Sequence, residues 1–369
     1  MASTLSHPYK GLPPSSFWKN AVAEADLTGF DPVVQAPFAI GRTEAVATAG
    51  SCFAQHIARH LLASGFNFLQ TERPESPDEP VFSARFGNIY TVRQLRQLFL
   101  RAYGICRPID KAWLGKNGKY LDPFRPQLQP GGFDSPSAVQ AARSRHLAAV
   151  RQVFENCRVF IFILGLTEAW LASDGVALPV PAGVVAAEAN GGPYTFHNFT
   201  AAEMVYEMSQ FLREIREVNS GIRVILTVSP VPLVATYENR HILLSNTYSK
   251  AALRVVAEEA AHAHDFVAYF PSYEIITSPL SRFCFFNADL RTVTEAGVSH
   301  VMSLFSKYFL DSGMAAAGAG PAPELAALSP ATPAPADEPC DFDEKIKKRF
   351  LEIQNILCDE ELLAPRADP

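Results

Sequence analysis

The chain has 369 residues, 48% of them hydrophobic and 19% charged, enough to bury one large core or two ordinary ones and inconsistent with a disordered or fibrous protein. With 32 Lys and Arg against 38 Asp and Glu the formal charge is -6, and no basic stretch interleaved with aromatics precedes the last few dozen residues, so nucleic acid is not an expected partner. The six cysteines (Cys52, Cys106, Cys157, Cys284, Cys340, Cys358) form no CxxC pair or compact Cys/His ligand set, no apolar run is long enough for a membrane span, and the start lacks a basic-then-apolar leader pattern.

These features predict a cytoplasmic globular protein without a structural zinc or a disulfide framework. After a proline-rich start, "EAVATAG" reads as a short buried strand, followed by a helix from Phe53 to about Ser64 that stops at Gly65. "RVFIFILG" (158–165) is the continuous apolar run of a central parallel strand. "NFTAAEMVYEMSQFLREIREVNSG" is an amphipathic helix with Asn198 or Thr200 at its N-cap and Gly221 at its end. "IRVILTVSP" is a second buried strand stopped by Pro230 and Pro232. "NTYSKAALRVVAEEAAHAH" is helical, "DFVAYFPSYEI" starts as a strand, and "VTEAGVSHVMSLFSKYFL" is the last helix of this part. Such alternation predicts an α/β fold with a parallel sheet covered by helices on both faces, and ligands bound at the carboxyl ends of its strands.

Composition then divides the chain into a domain over 1–311, an Ala/Pro-rich linker over 312–340, and a tethered amphipathic helix over 341–369. Ile346, Phe350, Ile353 and Ile356/Leu357 fall close to one stripe of that helix, a surface for an oligomer or partner contact.

The stretch "AVATAGSCFAQHIARHL" places Gly50, Ser51 and Cys52 at the turn between a strand and a helix. Helical N–H groups and the helix dipole aimed at such a turn lower a thiol pKa and offer donors to an oxyanion. The plainer reading makes Cys52 a small buried hydrophobe and Ser51 the N-cap.

"AGSCFA" is the signature of the GSCFA family, which resembles the SGNH (GDSL-like) hydrolases. The resemblance extends over roughly 14–310, through "FWKNAV", "RFGNIYT", "LGLTEAW", "LTVSPVPLVAT", "NTYSKAALR" and "YFPSYEI". It implies a three-layer flavodoxin-like (SGNH-type) fold. "GSC" is similar to the "GDS" of the first SGNH block, which puts Cys52 in the nucleophile's place and Ser51 in that of the preceding aspartate. Gly87 resembles the second-block glycine that binds the oxyanion, with Asn88 as an added donor. "GLTE" stands for the third-block "GxND", so Thr167 replaces the oxyanion asparagine and Glu168 follows it. In the fifth block "DxxH", Asp289 is in place but Thr292 stands where the histidine belongs. A thiol still benefits from an imidazole, and His241, after the "ILTVSP" strand, and His56, one turn beyond Cys52, are the candidates. His197 beside a helix cap and His300 inside the last helix are weaker ones.

Two functions follow from these residues. In the first, Cys52 attacks an ester, thioester or amide carbonyl, making the protein an acyltransferase or hydrolase that acts on a small-molecule or saccharide substrate. It needs no cofactor, with acyl-CoA as one donor. In the second, the chain is a non-catalytic SGNH-like binding protein that has lost the fifth-block histidine. The domain division predicts that a chain lacking 312–369 stays soluble and active, checked by expression and by activity of the truncated chain.

Overall fold

The computed structural model describes residues 7–27, 29–73, 80–129, 131–189, 192–311 and 359–363. In chain order the main elements are β1 (Val46–Gly50), α1 (Ala54–Ala63), α2 (Val92–Ala102), β2 (Trp113–Gly115), β3 (Tyr120–Leu121) and α3 (Pro136–Asn156). Next come β4 (Val159–Leu164), β5 (Glu168–Leu171), β6 (Ala177–Leu178), α4 (Ala182–Val185), β7 (Ala186–Glu188), β8 (Thr195–Asn198) and α5 (Ala201–Val218). The chain continues through β9 (Arg223–Val228), α6 (Ile242–Ala263), β10 (Val267–Tyr269), α7 (Ser272–Thr277) and α8 (Glu295–Phe309). The predicted linker and the apolar stripe Ile346 to Leu357 lie outside the described residues. Asp359–Leu363 form one short 3-10 turn.

The strands β1, β4, β9 and β10 make one parallel sheet in that order. Val46 pairs with Val159, and Val159 with Arg223. On the free edge of β1, Phe68 forms a parallel bridge with Val46, fixed by Val46 N–H to the Asn67 carbonyl (2.9 Å) and Leu69 N–H to the Val46 carbonyl (2.8 Å). With that bridge the spatial order is the 2-1-3-4-5 of flavodoxin-like folds, and the order reverses between β1 and β4.

Side chains alternate across the sheet with period two. Ala47, Ala49, Phe160, Phe162, Leu164, Val224, Leu226 and Val228 face a layer of α2, α3, α5 and α6. Val46, Val159, Ile161, Ile163, Ile225 and Ala268 face α1, α7 and α8. This is a three-layer α/β fold. Capping follows the side-chain rules: Thr200 and Glu203 form a capping box on α5, and Thr91 and Gln94 do so on α2. The helices α2 and α3 lie in a stretch where the sequence pattern predicts nothing. The last helix starts at Thr294, whose Oγ1 accepts from Gly297 N–H (3.2 Å).

Two small antiparallel sheets, β3-β2-β7 and β6-β5-β8, flank the carboxyl end of the main sheet. Between them and the core lies a buried ionic cluster. Asp122 accepts from Arg125 Nε (3.0 Å) and from Arg143 Nη2 (2.6 Å), and Arg125 Nη1 donates to the Arg85 carbonyl (3.2 Å). Glu72 accepts from Arg85 N–H (2.9 Å) and lies 2.6 Å from His146 Nδ1, which carries the proton because a carboxylate can only accept. The cluster fixes the loop 84–88 from behind. Burial opposes ionisation of Asp122, but the two guanidiniums outweigh it and hold its carboxyl far below the usual range. For His146 burial dominates, helped by Arg125, and pushes the imidazole down to about 4.

Asp122→Asn strips the buried Arg143 of its carboxylate partner and leaves Arg125 only Glu72 at 3.8 Å, so a loss of about 3–5 kcal/mol in urea unfolding is expected, with the loop 84–88 losing amide protection first. The unfolded chain binds a proton at His146 near pH 6.5, while the folded chain does so only near 4. Stability is therefore expected to drop as pH falls through that window, and His146→Gln should flatten the drop in urea midpoints between pH 7 and pH 4.5.

Candidate functional site at the switch point

The site begins with the close approach of β1 and β4. Gly50 has φ +133°, and a Cβ there would fall 2.6 Å from the Ile163 nitrogen and closer still to its carbonyl oxygen. Only glycine permits the strands to end this close together. Ser51 N–H donates to the Ile163 carbonyl (3.2 Å), after which the chain turns; Ala54 N–H bonds to the Ser51 carbonyl (2.9 Å) and Gln55 N–H to the Cys52 carbonyl (3.2 Å). Cys52 thus lies in the turn at the carboxyl end of β1, 8% exposed. Ser51 is not the N-cap expected of it. The cap position is Phe53, without a side-chain bond, and the Ser51 hydroxyl is buried with no hydrogen-bond partner among the described residues.

The Gly87–Tyr90 loop crosses the same strand ends. Ile89 N–H donates to the Gly50 carbonyl (2.8 Å), and the Tyr90 carbonyl accepts from Gly165 N–H and Leu166 N–H (both 3.0 Å). Gly87 takes φ +69° with open space where its Cβ would be, and Asn88 behind it is buried. Thr167 is fully buried; its N–H donates to Ser249 Oγ (3.2 Å), and its own hydroxyl has no hydrogen-bond partner among the described residues. The turn of Ser51 and Cys52, the loop that carries Asn88 and the segment that leads to Thr167 thereby all stand around the crevice at the carboxyl ends of β1 and β4.

The remaining expected residues are engaged elsewhere. Glu168 accepts from Thr236 Oγ1 (2.6 Å) and Tyr237 N–H (3.2 Å), and so ties down the loop after β9; burial raises its carboxyl pKa. His241 is the exposed N-cap of α6, which starts four residues earlier than the periodicity indicates, and its Nδ1 accepts from Leu243 N–H (3.2 Å). That bond occupies the nitrogen lone pair that a base would use. His56 packs on Phe53 with ring centroids 5.3 Å apart, and burial, aided by Arg59, pushes its pKa to about 4, so the ring stays neutral. Asp289 closes a turn on its own chain, accepting from Arg291 N–H (3.0 Å), Thr292 N–H (2.9 Å) and the Thr292 hydroxyl. Partial burial raises its pKa, and these bonds outweigh that and lower it. It neither orients an imidazole nor caps α8.

In their place the fold supplies Lys250, which the reading of the sequence missed. It is 1% exposed, on the inner face of α6 with Ser249, Leu253, Val256 and Ala257. Its Nζ donates to the Gly165 carbonyl (2.9 Å), at the end of β4 beside Ser51. Burial pulls its pKa down to about 8; Glu360 and Cys52 act in the opposite direction and Arg291 with it. A lysine on the buried stripe of an otherwise small and apolar helix face is the sequence signal that marks it.

Two acidic residues complete the crevice. The Asp359 carboxylate accepts from Asn88 N–H, from Asn88 Nδ2 (3.1 Å) and from Gln127 Nε2 (2.8 Å). Glu360 accepts from Arg291 Nη2 (3.0 Å), and its own N–H donates to the Tyr90 hydroxyl (3.2 Å). Both are buried, 3% and 6% exposed. Among the described residues no three His, Cys, Asp or Glu side chains converge as a metal site, and no helix is long and apolar enough to cross a membrane.

Comparison with curated proteins returns no match. Among solved structures, a carbohydrate esterase family 3 protein from Talaromyces cellulolyticus aligns over 72% of this chain and 95% of its own at 13% identity, with a TM-score of 0.29. The GSCFA family model matches residues 45–305, which span the strands, the glycine turn, the Gly87 loop and Lys250. The chain belongs to the GSCFA family.

Proposed function

We propose that the crevice carries out SGNH-like acyl transfer, as a hydrolase or acyltransferase, with Cys52 as nucleophile and Lys250 as its proton acceptor. The observation that carries this reading is the buried amine of Lys250. It is held on the Gly165 carbonyl, in electrostatic contact with the Cys52 thiol, with a pKa of about 8. An amine in that range is partly neutral near neutral pH and can take a thiol proton; once protonated, its charge stabilises the thiolate. It fills the role left open by Thr292.

The Cys52 proton passes to Lys250 Nζ, and the thiolate forms an S–C bond to the carbonyl carbon of a small-molecule or saccharide ester, or of an acyl-CoA thioester. The oxyanion accepts from donors of the kind offered by Asn88 N–H, Asn88 Nδ2 and the Thr167 hydroxyl. Collapse breaks the bond to the leaving group, which takes the proton back from Lys250. Water or an acceptor hydroxyl then attacks the acyl-cysteine, giving its proton to the same amine, and the thiol is regenerated.

Cys52→Ala is expected to abolish hydrolysis of p-nitrophenyl acetate and the acyl adduct seen by intact mass, with an unchanged melting curve; Cys52→Ser keeps a trace. Lys250→Met should lower kcat by about 100-fold or more, and the wild-type rate should climb as pH rises through about 8. Full activity in Cys52→Ala would overturn Cys52 as the nucleophile and move that role to Ser51; no turnover and no acyl adduct in the unmodified chain would favour a binding protein.

A further inference from the structure

The donors at the strand ends hold carboxylates of the chain itself. Asn88, through its N–H and Nδ2, and Gln127 take Asp359, while Arg291 takes Glu360 beside Lys250. A carboxylate enters such a crevice only where charge-assisted donors replace its water, and four donors do so for the two carboxylates here. The Lys250 Nζ donates to a neutral carbonyl, so the anionic groups acting on it are Glu360 and Cys52. The crevice is therefore built to hold negative charge next to the thiol.

The residues that supply this charge lie outside the span that matches the family model. The family model ends at 305, and Asp359 and Glu360 lie beyond it, across the Ala/Pro-rich stretch. The donors Asn88, Gln127, Lys250 and Arg291 all lie inside the match. The pocket thus belongs to the family domain, and its occupant does not.

We propose that residues 359–363 occupy the crevice as an intramolecular pseudo-ligand, and that the ligand this site takes from solution carries a carboxylate next to its reacting group and competes with the tail for the same donors. The inference rests on the Cys52 site described above. Access to the site is then set by exchange between the tail and an acidic ligand, a bimolecular displacement whose midpoint depends on ligand concentration.

The test uses the full-length chain and alkylation of Cys52, mapped by peptide mass spectrometry. Iodoacetate and iodoacetamide both form an S–C bond and release iodide; they differ in carrying a carboxylate or an amide. In Asp359→Asn/Glu360→Gln, alkylation of Cys52 should be at least about 10-fold faster than in the unmodified chain. The gain should be several-fold larger for iodoacetate than for iodoacetamide, after each is normalised to its rate with glutathione. N-acetyl-Asp-Glu-amide should restore protection, and N-acetyl-Asn-Gln-amide should not. In the unmodified chain, the same acidic dipeptide should speed amide hydrogen exchange at 359–363, a measurement that needs no variant to fold.

Alkylation within twofold of the unmodified rate, or a gain equal for both reagents without protection by the acidic dipeptide, overturns the proposal. Slower alkylation also overturns it, because Glu360 would then be assisting the thiol. Alkylation reads access to Cys52 and not turnover. A Cys52→Ala protein that keeps full esterase activity would remove Cys52 as the nucleophile and leave this result standing.

Discussion

Everything at the crevice depends on how closely two strands end together. The backbone of Gly50 lies against Ile163 with no room for a Cβ, and this contact sets where Ser51 leaves the sheet. The Tyr90 carbonyl then accepts from Gly165 and Leu166, and the Ile89 N–H reaches back to the Gly50 carbonyl, so the second loop is registered on the same two strand ends. Gly165 is equally confined: a Cβ there would come 3.1 Å from the Ser51 Cβ and 3.3 Å from the Tyr90 ring. Three loops from distant parts of the chain are thus positioned by backbone contacts before any side-chain chemistry is considered. A parallel sheet whose order reverses at this point leaves a crevice that its loops must line.

The charges around that crevice are balanced in two different ways. Behind it, Asp122, Arg125, Arg143, Glu72 and His146 come from the domain itself and pair with one another. At the front, Lys250 and Arg291 meet a carboxylate delivered by the chain terminus. Burying an ion is tolerated only when a partner travels with it or waits for it. The rear cluster is the first case, a rigid support. The front is the second, with its partner brought from residues 359–363, beyond the span that matches the family model.

The central strands and four of the long helices were legible because their burial is simple. "VFIFIL" is buried on both faces, and the Thr200–Glu203 box announces its helix. The helix α3 was not, since its 21 residues carry mostly Ala, Arg and Ser and a weak apolar stripe. The pairing of Phe68 beside β1 is a single bridge, too short to leave a pattern. At the site, Cys52, Asn88 and Thr167 were named through the resemblance of their motifs to the SGNH blocks. Lys250 was not, because a search for a base among histidines passes over a lysine in a helix. His241 misled for a physical reason: the helix extends back to it, turning a loop residue into a cap. Asp359 and Glu360 fall within the stretch expected to form the tethered helix, and nothing in their spacing says that they pair with Asn88 and Arg291.

The register of β1 also bears on how the protein comes into being. Val46 finds its sheet partner at Val159, and among the described residues no nearer segment offers more than the Phe68 bridge. On the ribosome, the glycine turn and its thiol therefore emerge long before the strand that confines them, and the nascent strand stays unpaired while α2 and α3 are made. Parallel pairings of this separation form slowly because the loop must close before any contact repays it. The Cys52 thiol at this strand end therefore stays open to oxidants and to wrong partners until β4 has been made and docked beside it.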